Sequence, residues 1–324
     1  MWTKPYGMKE GFLIGGGLIV AGLMLSLSVG PVDWDAFRWP VNGIVLAGFL
    51  ALIAIIFLLR KRVYGLQFIG TYKAAIPAMV YAVVLTIVMG LTRQKSLTHG
   101  SSPMDEGSMW FNYMLNFWPF VLIYVYIAVI LGLVILKQMK VAAANFIPAD
   151  APTRSLSLFT RHSSLLSHLG LFLAMTTATL GNADVQRLKM ITVKGEPEWR
   201  ALTPEQQIVE MPIAIELKQF IMETYDDGSP RRYASDIQIL TKSGKNIQTT
   251  VEVNKPVEVD GWKIYQYGYD TQMGAMSQTS ILELVSDPWL PLVYTGIYMM
   301  LAGAVCMFLF GGRKKMDKSP NRQI

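Results

Sequence analysis

Residues 114–136 read MLNFWPFVLIYVYIAVILGLVIL and stop at Lys137, twenty-three consecutive positions without Asp, Glu, Lys or Arg. A helix crosses the roughly 30 Å hydrocarbon core of a bilayer in about 20 apolar residues, so this stretch is long enough to span. Five further uncharged runs have the same character: residues 11–30, 41–59, 74–92, 163–182 and 289–312. The whole chain agrees with them. Of its 324 residues 52% are apolar and 16% charged, whereas a soluble domain carries about a quarter charged. Mean hydropathy is +0.34. The expectation is a polytopic α-helical membrane protein with six transmembrane helices. The first run has the full spanning length and leads through a short loop into the second, which favours a retained span over a cleaved signal peptide.

Lys and Arg near span ends set orientation. Placing the N-terminus inside gathers 15 of the 29 basic residues on the inner side, against the acids Glu10, Asp150 and Asp317. The inner cations include Arg60, Lys61, Arg62, Lys73, Lys137, Lys140, Arg154, Arg161 and the tail from Arg313 to Arg322. Both termini are therefore expected in the cytoplasm. The net charge of +6 then records membrane orientation and gives no ground for nucleic-acid binding.

Between the fifth and sixth spans lie residues 183–288, with 16 acids and 11 bases. Ile213, Ile215 and Leu217 alternate with Ala214, Glu216 and Lys218, the period of a half-buried strand. Ile237 and Ile239, Val251 and Val253, and Val257 and Val259 repeat the pattern. Turn signals at Asp227-Gly228, Ser243-Gly244 and Asp260-Gly261 separate them. The last predicts a hairpin from Val257–Val259 into residues 262–267, and residues 280–285 form one more strand. This reads as a small extracytoplasmic β-sandwich tethered at both ends to the membrane. The inner loop 137–162 is expected to include a short interfacial helix.

Chemistry-bearing residues are few. The single cysteine, Cys306, lies in the last span and excludes an internal disulfide, a CxxC pair and covalent haem attachment through CxxCH. There are three histidines. His99 is expected in a solvated outer loop and His162 at the inner headgroup level, while His168 lies inside the fifth span. An ionisable residue within a span is a functional candidate by default, and neutral imidazole ligates haem iron. A hydrogen bond that only orders helix packing is the competing reading. Six residues of helix put His162 and His168 on different faces, so they cannot clamp one metal. Zinc ligand sets, phosphate loops and a Ser/His/Asp triad are absent. Trp110, Phe111, Tyr113, Phe117 and Trp118 read as an interfacial aromatic belt, and Asp105 and Glu106 as solvated.

Several segments resemble the ResB/CcsB family of system II cytochrome c maturation. Val251-Glu252-Val253-Asn254-Lys255-Pro256, Gly261 and Ile264-Tyr265-Gln266-Tyr267-Gly268-Tyr269 are similar to its VN-x-P, Gly, YQ-x-x-Y signature. Residues 220–225 with Tyr233-Ala234-Ser235-Asp236 resemble a strand leading into its P-x-x-Y-x-S-like segment. Trp110-Phe111 resembles its WF span entrance, and residues 162–181, with His168-Leu169-Gly170, its His-bearing span. The resemblance implies a membrane core over residues 71–182, an outer domain over 183–288 and a last span with a basic tail over 289–324. Residues 1–70 look like an added hairpin.

By the same resemblance His168 would be one axial ligand of transiently bound haem b. The second would come from a CcsA-like partner, whose tryptophan-rich WWD segment this chain lacks. Apocytochrome c would be the acceptor, with a thiol-reducing protein acting indirectly, in the bacterial cytoplasmic membrane. Asn254, Pro256, Tyr265 and Gln266 carry the motif without an implied role. The alternatives are a haem-independent membrane scaffold or sensor whose β-domain binds a protein or envelope ligand, and an ABC-type permease, against which the YQ motif argues.

Overall fold

The computed structural model describes residues 4–95, 109–144, 152–227 and 229–311. His99, Asp105 and Glu106 fall outside them. The chain divides into a helical unit, Met1–Ala183 with Trp289–Ile324, and a sheet unit, Asp184–Pro288.

The helical unit contains α1 (Met8–Ser28), α2 (Val41–Leu59), α3 (Tyr64–Ile69), α4 (Tyr72–Leu91), α5 (Trp118–Ala144), α6 (Pro152–Gly181) and α7 (Leu290–Gly311). All but the short α3 are long and apolar enough to cross a membrane. In hydrocarbon every backbone N–H and C=O needs an internal partner, which the α-helix supplies. α5 is the central helix, packed by α1, α2, α4 and α6, with Ile123 and Leu133 fully buried. The outer spans keep large apolar side chains exposed, among them Leu58, Val83 and Phe308, as a lipid-facing surface does. The residue 1–70 segment is thus built into the core: Gly22 lies against Pro119 of α5, and Ile53 of α2 meets Gly132 of α5.

Two small-residue contacts set helix spacing. Pro77 cannot donate to the Lys73 carbonyl, and Gly11 of α1 lies over that freed oxygen, where an added Cβ would come within 2.5 Å of it. The α6–α7 seam is longer. Ser163, Ser167, Gly170 and Ala174 of α6 face Gly296 and Gly303 of α7, and Gly181 packs on Trp289. Small residues at such positions let helix backbones approach closely in a membrane.

The inner loop differs from expectation. α5 continues to Ala144 and α6 starts at Pro152, so the two spanning helices extend over most of the stretch expected to hold an interfacial helix. At the other end the aromatic residues act as staples between loops. Residues Trp110–Asn116 form a 3-10 segment with Tyr113 1% exposed. Trp118 Nε1 donates to the Gly30 carbonyl at 2.9 Å, Trp34 Nε1 to Leu115 at 3.0 Å and Asn116 Nδ2 to Val32 at 2.8 Å.

The sheet unit has eight antiparallel strands: β1 (Gln186–Val193), β2 (Pro197–Leu202), β3 (Ile208–Thr224), β4 (Pro230–Thr241), β5 (Asn246–Glu252), β6 (Val257–Val259), β7 (Trp262–Tyr269) and β8 (Thr279–Ser286). They form one sheet in the order β5-β4-β3-β2-β1-β8-β7-β6, where the sequence suggested a two-layer sandwich. The sheet curls so that β5 approaches β7, and one face closes on Met190, Ile213, Ile215, Leu217, Ile237, Ile239, Val251, Ile264, Leu282 and Leu284. Each such side chain contributes about 1.5–3 kcal/mol on burial. The expected hairpin is present, with Val257 opposite Ile264 and Val259 opposite Trp262. Its turn has φ of 47° at Asp260 and 82° at Gly261, the paired left-handed conformation of a tight two-residue turn.

Candidate functional site

His168 sits on α6 about 7–8 Å beyond Ser163, at the 1.5 Å rise of a helix, and is half-buried. Its Nδ1 lies 2.6 Å from the backbone carbonyl oxygen of Ser164, one turn earlier. A carbonyl only accepts, so Nδ1 carries the proton and donates. In the neutral ring this leaves the lone pair on Nε2, the nitrogen a metal takes. Two further groups close on Nδ1: the Ser164 hydroxyl at 3.3 Å and the Gln138 amide of α5 at 3.4 Å.

Gln138 Nε2 is also 3.2 Å from Ser164 Oγ, and its Oε1 is buried without a donor. The two amide atoms are distinguished only by their partners. Turning the amide by 180° brings Oε1 towards Nδ1–H and the Ser164 hydroxyl, which satisfies the orphaned oxygen. Either way, Gln138 and Ser164 clamp the Nδ1 edge of the ring.

The sequence reading missed both of these partners. Gln138 falls two residues past the uncharged run, and Ser164 is an ordinary helical residue. Its place four positions before His168 was the available signal, since such residues share a helix face. His162, on the same helix, is exposed. Among the described residues no group of three or more His, Cys, Asp or Glu could hold a metal ion. The arrangement offers one imidazole nitrogen.

A cavity of about 960 Å³ lies at the other end of the helices. Asp33, Trp34, Tyr113, Asn116, Tyr124 and Thr179 help to line it. Thr179 is about 16 Å along α6 from His168 at 1.5 Å per residue, so this cavity is separate from the imidazole. Thr179 Oγ1 donates to the Tyr124 hydroxyl at 3.0 Å, and that hydroxyl donates to the Met175 carbonyl at 3.0 Å, tying α5 to α6 there.

Of the motif residues of the sheet unit, Asn254 and Gln266 have local structural work. Asn254 has φ of 63° in the turn closed by Glu252 and Lys255, and Pro256 leads from it into β6. Gln266 is 6% exposed, and its Nε2 donates to the Gly268 carbonyl at 2.9 Å and to Ser280 Oγ at 3.0 Å. Ser235 donates to the same Ser280 oxygen at 2.7 Å. Gln266 thereby braces the bulge where β7 slips against β8 between Gln266 and Gly268. Tyr265 stands half-buried on the opposite side of β7 from Ile264 and Gln266.

Near the Asn254 turn, Arg232 pairs with Glu223 at 2.8 Å and with Glu252, which Lys255 also contacts at 2.9 Å. The Arg232 guanidinium, followed by the Lys255 ammonium, pulls the Glu252 carboxyl down to about 2.

Fold and site together define a polytopic membrane protein with one hydrogen-bonded imidazole in a span and a β-domain spliced between its last two helices. The ResB-like family model matches residues 157–279, from within α6 to the start of β8. The cytochrome c biogenesis protein CcsB of Prochlorococcus marinus subsp. pastoris (strain CCMP1986 / NIES-2087 / MED4) is 26% identical over 119 residues, 36% of this chain and 27% of the relative. CcsB of Prochlorococcus marinus strain NATL1A is 27% identical over 106 residues, 33% of this chain and 24% of the relative. The match thus spans about a quarter of the length of these curated relatives. Among solved structures, cytochrome c haem lyase CcmF is similar with a TM-score of 0.37 and 12% identity, over 82% of this chain and 45% of that one. So loose a likeness carries no weight for fold or function.

Proposed function

We propose that this chain is the ResB/CcsB-like subunit of a cytochrome c maturation system. It handles haem b in the membrane with a CcsA-like partner and presents it to apocytochrome c. The observation that carries the reading is the match of the ResB-like family model over residues 157–279, which runs through His168 and most of the β-domain, beside the similarity to proteins named CcsB. The local geometry of His168 adds to it. Ser164 holds the Nδ1 proton and Gln138 limits ring rotation, so Nε2 keeps its lone pair for iron. Haem, when bound, supplies that iron and the vinyl groups to which cytochrome thiols add. The Lys/Arg distribution favours cytoplasmic termini and an extracytoplasmic β-domain.

A haem-independent scaffold has one observation in its favour: the imidazole is already hydrogen-bonded within its own helix at 2.6 Å, as a packing residue would be. Co-purification with a CcsA-like partner and a visible spectrum separate the two. The expected result is a Soret band that His168→Ala removes and added imidazole restores, with c-type cytochrome yield falling in parallel. A band and a yield that both survive His168→Ala refute ligation by this residue.

A further inference from the structure

At the level of Gln138, on the α2–α4 side of α5, a second pocket of about 620 Å³ is lined by Arg60, Lys61, Gln67, Thr71, Lys137, Lys140 and Val141. Four cations converge there, and no acid is among the lining residues. None of the four forms an ion pair among the described residues. Basic residues that only mark the inner side of a membrane would send their heads apart into water. Here two are turned inward. The Arg60 guanidinium lies over the Phe57 ring at 3.6 Å, and its Nη1 is shut off from solvent without an acceptor. A buried N–H in that state needs a partner. Lys137 Nζ donates to the Gly70 carbonyl across a glycine that leaves it room: an added Cβ there would lie 2.6 Å from Nζ.

Thr71, the N-cap of α4, makes no side-chain cap, since its hydroxyl donates to the Phe68 carbonyl at 2.6 Å. The positive end of a 20-residue helix therefore adds to the field of the four cations. We propose that this pocket binds the phosphate headgroup of an anionic phospholipid. A phosphate accepts from several donors at once, and guanidinium is well matched to it. The lipid is favoured over free phosphate because the pocket sits at the ends of spanning helices, beside the exposed Leu58, Leu59 and Val141, where acyl chains would run. Basic pockets between spanning helices are a recurrent form of lipid recognition. The site shares no residue with the His168 cluster and does not depend on a haem role.

The test uses the full chain in neutral detergent, with native mass spectrometry during titration of phosphatidylglycerol, cardiolipin or phosphatidylcholine. The expected result is retention of the two anionic lipids at least tenfold tighter than phosphatidylcholine. Lys61→Gln/Lys140→Gln, which alters only exposed side chains, should cut that preference at least fivefold, and Arg60→Gln should cut it further. The control Lys4→Gln/Lys9→Gln removes as much charge elsewhere and should leave it intact. Equal retention of all three lipids overturns the proposal. So does an anionic preference that Lys61→Gln/Lys140→Gln leaves unchanged. Binding of inorganic phosphate without any lipid preference assigns the pocket to a free oxyanion and overturns the lipid assignment.

Discussion

Replacing Gln266 by alanine tests whether the YQ motif is a fold determinant or a docking feature. The side chain is 6% exposed, and its amide supplies donors to the Gly268 carbonyl and to Ser280 Oγ. Truncation leaves the Gly268 carbonyl without this donor, and the fully buried Ser280 hydroxyl keeps only the hydrogen that Ser235 gives it. A buried polar group stripped of its partner costs about 1–3 kcal/mol, and the vacated volume adds to that. We expect a loss of about 3–4 kcal/mol from the sheet. Since 1.4 kcal/mol is a factor of ten, the open population of β7 and β8 should rise by about two to three orders of magnitude.

Amide hydrogen exchange on the full chain in detergent reads this directly, through peptides covering β7 and β8. The triple variant Gln266→Met/Ser235→Ala/Ser280→Ala removes both sides of the network while keeping most of the volume, so it should recover a large part of the loss. Faster exchange by less than fivefold in Gln266→Ala would refute the structural account.

On the α6–α7 seam, Gly296→Ala places a Cβ 2.6 Å from the Ala174 nitrogen, and Gly303→Ala places one 2.6 Å from the Ser163 carbonyl. Both contacts are with backbone, so the helices must separate, and each change should cost about 1–3 kcal/mol; unchanged thermal unfolding in detergent would contradict the close seam. The Glu252 carboxyl, held near 2 by Arg232 and Lys255, lies below its ordinary value, so its contribution to stability is complete above about 4.5 and is lost as pH falls towards 2. Exchange protection of β4 and β5 should therefore weaken over that window, and Glu252→Gln should flatten the dependence; an identical pH profile in the variant would argue against the pairing.

The spans were legible because lipid imposes length and composition on a helix directly, and the expected runs meet the observed helix ends within a few residues at most boundaries. The Asp260-Gly261 hairpin was legible for a similar reason: a turn needing two left-handed residues admits few sequences. β1 and β2 were not. Leu188 and Met190 of β1 point inward, but Ile191 and Val193 are exposed apolar neighbours that blur the alternation, and β2 opens on Pro197 and exposes Trp199. Without β2 bridging β1 and β3, the strands looked like two layers. Periodicity reports which face is buried and carries no record of which strand lies alongside. The same limit applies to His168. Its residue type marked the position, whereas the clamp by Gln138 depends on where α5 runs beside α6.

β1 and β8 are hydrogen-bonded neighbours, with Gln186 opposite Ser286, and in the helical unit Gly181 touches Trp289. Each unit therefore brings its own two junction residues together without help from the other. Closing a flexible loop of roughly 100 residues costs about 4 kcal/mol by the (3/2)RT ln n rule. Once the α6–α7 pair has formed in the membrane, the β-domain folds as a chain whose ends are already joined, and the reverse order gives the helices the same advantage. The two units are coupled through the entropy of their shared chain, and exchanging the β-domain for a short turn should leave the α6–α7 pair able to assemble.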